Sequence, residues 1–265
     1  MRIYTLGTSH GNSTISRFNS STAYETNGVL YLVDAGAPVE ALLRRKGLLC
    51  HDIRAIFITH MHDDHASGLF GLSKQVIKYP EERKFPMTVH FPEENAIGAF
   101  KTWFSAVHEN ANDPILEYKA VNDGSLYEDE NISVYAIRTR HLRTRGRTEG
   151  DPCSFAYILH FKKENKTVLH TGDLSADFSD FPTVSAEKYF DVCLCEATHY
   201  NPKSATDTLK GSRFGRLIFI HIGDAWHNYI RDRWNVECGE KALLSLCEDF
   251  PYPVAIAHDG DEFLI

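Results

Sequence analysis

Ala55-Ile56-Phe57-Ile58-Thr59-His60-Met61-His62-Asp63-Asp64-His65 joins an apolar tetrapeptide to three histidines and two aspartates in six consecutive positions. Four apolar residues in a row fit a strand buried on both faces. Imidazoles and carboxylates crowded behind such a strand are costly to bury unless they are paired. As a group they suit zinc, iron or manganese. His60 and His62, two apart, can project the same way from an extended segment. Asp64 and His65 can then turn toward a second ion. The competing reading scatters the histidines over surface and core, and with 14 in the chain some must be there. It does not account for so dense a cluster.

Other polar residues sit at the ends of strand-like runs. His141 follows an alternating run over 132–139 and Asp173 ends His170-Thr171-Gly172-Asp173. His221 follows an apolar run over 217–220. Strand ends that converge on one sheet edge build a site from distant sequence. A carboxylate such as Asp173 has two oxygens and can bridge two ions, and a water between them would have its pKa lowered to about 7 and become the nucleophile.

The rest of the chain supplies a layered frame. Runs over 22–25 and 29–33, joined by Thr26-Asn27-Gly28, predict a hairpin. Further strands are predicted over 2–6, 53–58, 87–91, 115–120, 132–139, 154–161, 167–170, 191–195, 217–220, 254–257 and 262–264. Helices are predicted over 38–46, 66–73, 92–110 and 238–250. The pattern predicts one α/β domain over 1–265, two sheets with helices outside.

Bulk properties narrow the function. The net charge of −8 argues against a general nucleic-acid-binding surface. The first residues lack a secretory pattern and there is no apolar run of membrane-spanning length, so a cytoplasmic protein is expected, with six reduced cysteines.

Thr59-His60-Met61-His62-Asp63-Asp64-His65-Ala66-Ser67-Gly68 resembles the HxHxDHxxG signature of the metallo-β-lactamase superfamily. Leu6-Gly7-Thr8-Ser9, Asn19-Ser20-Ser21, Leu32-Val33-Asp34-Ala35-Gly36, His141, Thr171-Gly172-Asp173, Glu196-Ala197-Thr198, Ile220-His221 and Ala257-His258-Asp259-Gly260 follow in the expected order, most like the RNase Z and cyclic phosphodiesterase branch. The resemblance implies a four-layer αββα sandwich of two mixed sheets. It implies His60, His62 and His141 on one divalent ion, Asp64, His65 and His221 on the other, and Asp173 bridging. The ions would be zinc, with manganese or iron as alternatives. It also implies supporting roles for Asp34 and Glu196, catalytic roles for Asp64 and His199, and His258 beside the pocket.

Two features favour a phosphodiester. Arg138, Arg140, Arg143, Arg145 and Arg147 crowd around His141, where they could clamp a phosphate or form a solvated loop. Arg143 and Arg145, with Trp226, are the candidate substrate contacts, although Trp226 and its neighbour His227 fit helix-start packing equally well. His199 lies at the offset before His221 where the phosphodiesterase branch has a histidine that assists the leaving group. The short interval from His141 to Asp173 leaves no room for the long RNA-binding arm of RNase Z. A small anionic substrate is therefore expected rather than a large nucleic acid, with no membrane partner and a homodimer left open. The alternatives are a lactone or carboxylic-ester hydrolase and an RNase Z-like RNA processor.

Overall fold

A computed structural model describes residues 1–108, 111–143, 153–223, 226 and 228–265, with only the main chain of Glu82, Arg143, Asn228 and Tyr229. The chain forms β1 (Arg2–Gly7), β2 (Ser21–Thr26), β3 (Val29–Val33), α1 (Val39–Arg45), β4 (Ile53–Phe57), α2 (Asp63–Ala66), α3 (Leu69–Lys78), β5 (Met87–Phe91), α4 (Glu94–Val107) and β6 (Leu116–Ala120). It continues through β7 (Gly124–Glu128), β8 (Ile132–Thr139), β9 (Ser154–Phe161), β10 (Lys166–His170), α5 (Val184–Glu187), β11 (Val192–Glu196), α6 (Pro202–Gly211), β12 (Leu217–Ile220), α7 (Asn228–Trp234), α8 (Glu240–Ser245), β13 (Val254–Ile256) and β14 (Asp261–Leu264).

The strands form two sheets of seven, in the orders β14-β1-β2-β3-β4-β5-β6 and β13-β12-β11-β10-β9-β8-β7. Each is antiparallel in one half and parallel in the other. Side chains alternate faces along a strand, so each sheet can bury both. In β4 and just after it, Ala55 and Phe57 enter the core between the sheets, while Ile53, Ile56 and Ile58 face the opposite layer. There they meet Val39 and Leu43 of α1, Leu72 and Val76 of α3, and Phe100 and Phe104 of α4. On the far side of the second sheet, Ala205 and Leu209 of α6, Ile230 of α7 and Leu243 of α8 pack over Cys193, Leu217 and Phe219. These are the helix-sheet-sheet-helix layers expected from the sequence.

The hairpin and the parallel strands fall where the sequence pattern placed them, but β7, α5, α6 and α7 match no predicted element, and the helix expected over 66–73 is divided between α2 and α3. β7 was not expected, because its alternation is broken by a register shift between Ser125 and Tyr127. α6 carries Lys, Ser, Thr and Asp on most of its surface and buries only Pro202, Ala205 and Leu209. α7 also went unpredicted. The helix expected over 238–250 contracts to α8, since Gly239 lies at φ 107°, outside helical geometry, and the chain leaves the helix at Leu246. Among the described residues no helix is long and apolar enough to cross a membrane.

Candidate metal centre

β4 ends at Phe57, and the segment that follows carries the histidines toward the second sheet. The turn is held by a few specific contacts. Ala35 N donates to His65 O at 2.7 Å and Gly68 N to Ala35 O at 2.7 Å. A Cβ on Gly36 would fall 2.1 Å from Asp64 O, so that close approach requires glycine. Asp34, held at φ 61°, turns a buried carboxylate into the same loop. It accepts from Thr59 N at 2.8 Å and Thr59 Oγ1 at 3.0 Å, and its Oδ2 lies 2.7 Å from His65 Nδ1. Asp34 therefore ties Thr59 to His65 within the loop. Burial pushes its carboxyl up, against the pull of His65 and the Thr59 donors.

The second sheet brings the other residues. His141 follows β8, and its Nδ1 lies 3.2 Å from Leu174 O. Asp173 follows β10 across Gly172, which lies at φ 58°, where a Cβ would meet Phe155 O at 2.8 Å. His221 follows β12, and its Nδ1 lies 2.7 Å from Ser20 Oγ, just before β2 of the first sheet. Four strand ends thus converge. Asp173 carboxylate oxygens lie 3.6 Å from His60 Nε2, 3.5 Å from His65 Nε2, 3.7 Å from His141 Nε2 and 3.5 Å from His221 Nε2. Asp64 Oδ2 lies 3.1 Å from His65 Nε2 and 3.9 Å from His221 Nε2.

The donor set fits divalent metal. His60, His62, His141 and Asp173 present ligand atoms within 4.8 Å of one another, as do Asp64, His65 and His221. Asp64 Oδ2, His65 Nε2, His141 Nε2 and Asp173 Oδ1 are buried and make no hydrogen bond. Buried polar atoms are nearly always satisfied, so four such atoms divided between these two groups indicate missing partners. The Nδ1 atoms of His65, His141 and His221 are each occupied by a carboxylate, a carbonyl or a hydroxyl. Such contacts fix the ring and leave Nε2 for a metal. Burial lowers the imidazoles of His60, His62 and His221, which favours the neutral, ligating form. At His65 burial opposes the proton, but Asp173, Asp34 and Asp64 together hold it well above the usual range. A metal would have to displace that proton.

Glu196 and His199 stand together beside the cluster. Glu196 Oε1 accepts from Leu174 N at 2.9 Å and lies 3.1 Å from His199 Nδ1. Its Oε2 accepts from Thr198 N at 2.8 Å and His199 N at 3.0 Å. His199 Nδ1 is 3.6 Å from Asp173 Oδ2, and its side chain is 27% exposed, at the rim. Although burial pulls the imidazole down, Glu196 and Asp173 raise it to about 9.

Other expected residues lie elsewhere. Trp226 is 0% exposed and sits in the outer core, its indole donating to Ala197 O at 2.6 Å, so it braces the turn before His199 and does not face substrate. His258 is half exposed and pairs with Glu240 at 2.8 Å, away from the ligands. Its neighbour Asp259 has the supporting part, accepting from Thr8 N at 2.9 Å and from Thr8 Oγ1 at 2.7 Å. Arg138 and Arg140 are bound to Cys153 Sγ and Ser179 Oγ, so neither side chain is turned to the cluster. Arg145, Arg147 and His227 lie outside the described residues, as does the side chain of Arg143. Asp63 is exposed at the start of α2. The sequence reading missed Ser20 as the partner of His221, a contact between residues 201 positions apart.

Two mixed sheets between helix layers, with a histidine–aspartate cluster at their shared edge, define the metallo-β-lactamase fold. Within it the chain belongs to the family of the anti-Pycsar protein Apyc1, whose model matches residues 1–210. Among curated proteins it is similar to the ribonuclease Z of Borrelia hermsii, 31% identical over 146 residues, or 51% of this chain and 43% of that one. The ribonuclease Z of Pseudomonas putida is 50% identical over 74 residues, or 27% of this chain and 23% of that one. This chain therefore spans less than half the length of these relatives. Among solved structures, unliganded yeast PDE1 superposes with a TM-score of 0.73 at 16% identity, covering 100% of this chain and 99% of that one. The short form of human tRNase Z gives 0.68 at 20% identity, covering 100% and 99%. At these identities the structures establish the fold.

Proposed function

We propose that this chain, read as a single domain, is a two-metal phosphodiesterase acting on a small phosphodiester or nucleotide. The observation that carries the reading is His199. An imidazole at the rim of the cluster has its Nδ1 3.1 Å from Glu196 Oε1, a carboxylate that favours its protonated form. The imidazole Nε2 is left to donate a proton to a departing alkoxide, a contribution typically worth about 10²–10⁴-fold. The family match supports the reading, since Apyc1 is a cyclic nucleotide phosphodiesterase.

His60, His62 and His141 would hold one ion, Asp64, His65 and His221 the other, and Asp173 both. When bound, zinc, manganese or iron would supply Lewis acidity and lower the pKa of a water to about 7. The protein residues fix the imidazole rings through Asp34, Ser20 and Leu174 O, and Glu196 orients His199. The ribonuclease Z relatives favour a second reading, RNA processing.

A panel of cyclic nucleotides, bis-aryl phosphates, precursor tRNA and acyl lactones tests the assignment. Turnover of the small phosphodiesters that collapses in His199→Gln is expected. Turnover confined to lactones would sink the phosphodiester reading, and turnover confined to precursor tRNA would replace it with the second.

A further inference from the structure

β8 and β10 are not neighbours, because β9 lies between them. Adjacent strands are about 4.8 Å apart, so the ends that carry His141 and Asp173 start roughly 10 Å apart. Their side chains nevertheless come within 3.7 Å. Something beyond the ladder must hold the two turns together.

Asp180 does so. One carboxylate oxygen accepts from Arg140 N at 2.6 Å, the residue before His141. The other accepts from Ser175 N at 3.0 Å and Ser175 Oγ at 2.7 Å, two residues after Asp173. Hydrogen bonds to an ionised acceptor are roughly twice as strong as neutral ones. The loop that presents Asp180 is itself anchored. Phe178, at φ 57°, stacks on Phe181 with ring centroids 4.8 Å apart, and its ring lies 4.3 Å from that of Tyr200. Asp177 closes the turn on Ser175 Oγ, Ser179 N and Ser179 Oγ, and it meets only the side-chain charge of Arg140, not the main-chain N–H that Asp180 holds. The other ties across the gap run from the Arg140 guanidinium to Ser179 Oγ, from Thr139 Oγ1 to Asp173 O at 3.3 Å and from His141 Nδ1 to Leu174 O at 3.2 Å.

We infer that Asp180 is a positioning residue for the metal centre: by clamping the turn of His141 to the turn of Asp173 it sets the spacing of these two ligands. The inference rests on the metal-site reading above. Metal-free parent, Asp180→Ala, Asp180→Asn and Asp177→Ala proteins would be titrated with Co(II) and followed by visible absorption. Thermal unfolding of the metal-free forms would be measured alongside. Loss of the clamp is expected to weaken uptake of one ion about 10–100-fold, the range for groups that orient ligands. Asp177→Ala should stay within about twofold of the parent by the same measure, since it leaves the clamp in place. Asp180→Asn keeps the volume but turns an amide donor toward N–H groups, so it carries the same expectation should Asp180→Ala not fold. A purely structural role would lower the unfolding midpoint and leave the cobalt titration of the folded protein unchanged, which overturns the inference. A parent that takes up no cobalt overturns the metal centre and the inference together. A cobalt-binding parent matched by both Asp180 variants overturns the inference alone.

Discussion

The 60–65 loop and the strand ends that carry His141, Asp173 and His221 meet at one cluster but are held there differently. The loop has a common organiser in Asp34, which binds both Thr59 and His65. The strand ends share no single organiser: Asp180 joins the turns of His141 and Asp173, while His221 is held separately by Ser20. The loop is thus vulnerable at a single point, whereas the dispersed set should fail in parts. Asp173 lies within 3.7 Å of histidines from both groups and is the exception.

Removing Asp173 should have the largest effect. In Asp173→Ala both metal content and rate should fall by more than the ~10–100-fold loss of a supporting group. Elemental analysis showing unchanged stoichiometry would remove Asp173 as the bridge. His199→Gln comes next, with turnover down by about 10²-fold or more and metal content retained. A parallel fall in metal content would make His199 a ligand instead. Asp34→Ala should then weaken uptake of metal by ~10–100-fold, and Ser20→Ala should sit near the low end of that range and affect one ion. Chelator competition compares these two variants directly. Equal losses would erase the contrast between a shared organiser and separate supports.

The smallest effect concerns a histidine outside both groups. His90 stacks on Phe57 at 5.0 Å, and neither of its ring nitrogens has a partner. Burial, assisted by Lys119, lowers it to about 3. The unfolded chain binds a proton at this position near pH 6.5 while the folded chain does not. Stability from this group is therefore complete above that pH and is lost as pH falls toward about 3, by at most about 1.4 kcal/mol per pH unit. Denaturant midpoints of His90→Phe, measured from pH 7 to pH 5 in chelator, should fall less steeply than those of the parent. Equal slopes would show that His90 is not a neutral buried group.

What was legible in the sequence follows the same division. Residues 55–65 announce their strand and their chemistry because both are local in sequence. The strand ends were found because each ligand ends an apolar run. Asp180 left no such signal, and Ser20 and Asp259 fell within quoted motifs without their roles being readable, because each acts on a partner that only the fold brings near. Trp226 illustrates the converse: its position shortly after His221 suggested the pocket, yet the chain turns there, at φ 44°, and buries the indole. α6 escaped because an amphipathic helix with three buried residues is nearly featureless as a pattern.

The order of the strands has one more consequence. Apart from β14, the first sheet is built wholly from residues before β7, and the second wholly from β7 onward. Asp34, His60, His62, Asp64 and His65 thus belong to one half of the chain, and His141, Asp173, Glu196, His199 and His221 to the other. A metal ion in this cluster would be a rivet across the seam between two separately built halves. Fragments divided in the turn between β6 and β7 should therefore reassociate more tightly with Zn(II) than with chelator, and equal affinity in a pull-down would show that the seam is closed by packing alone.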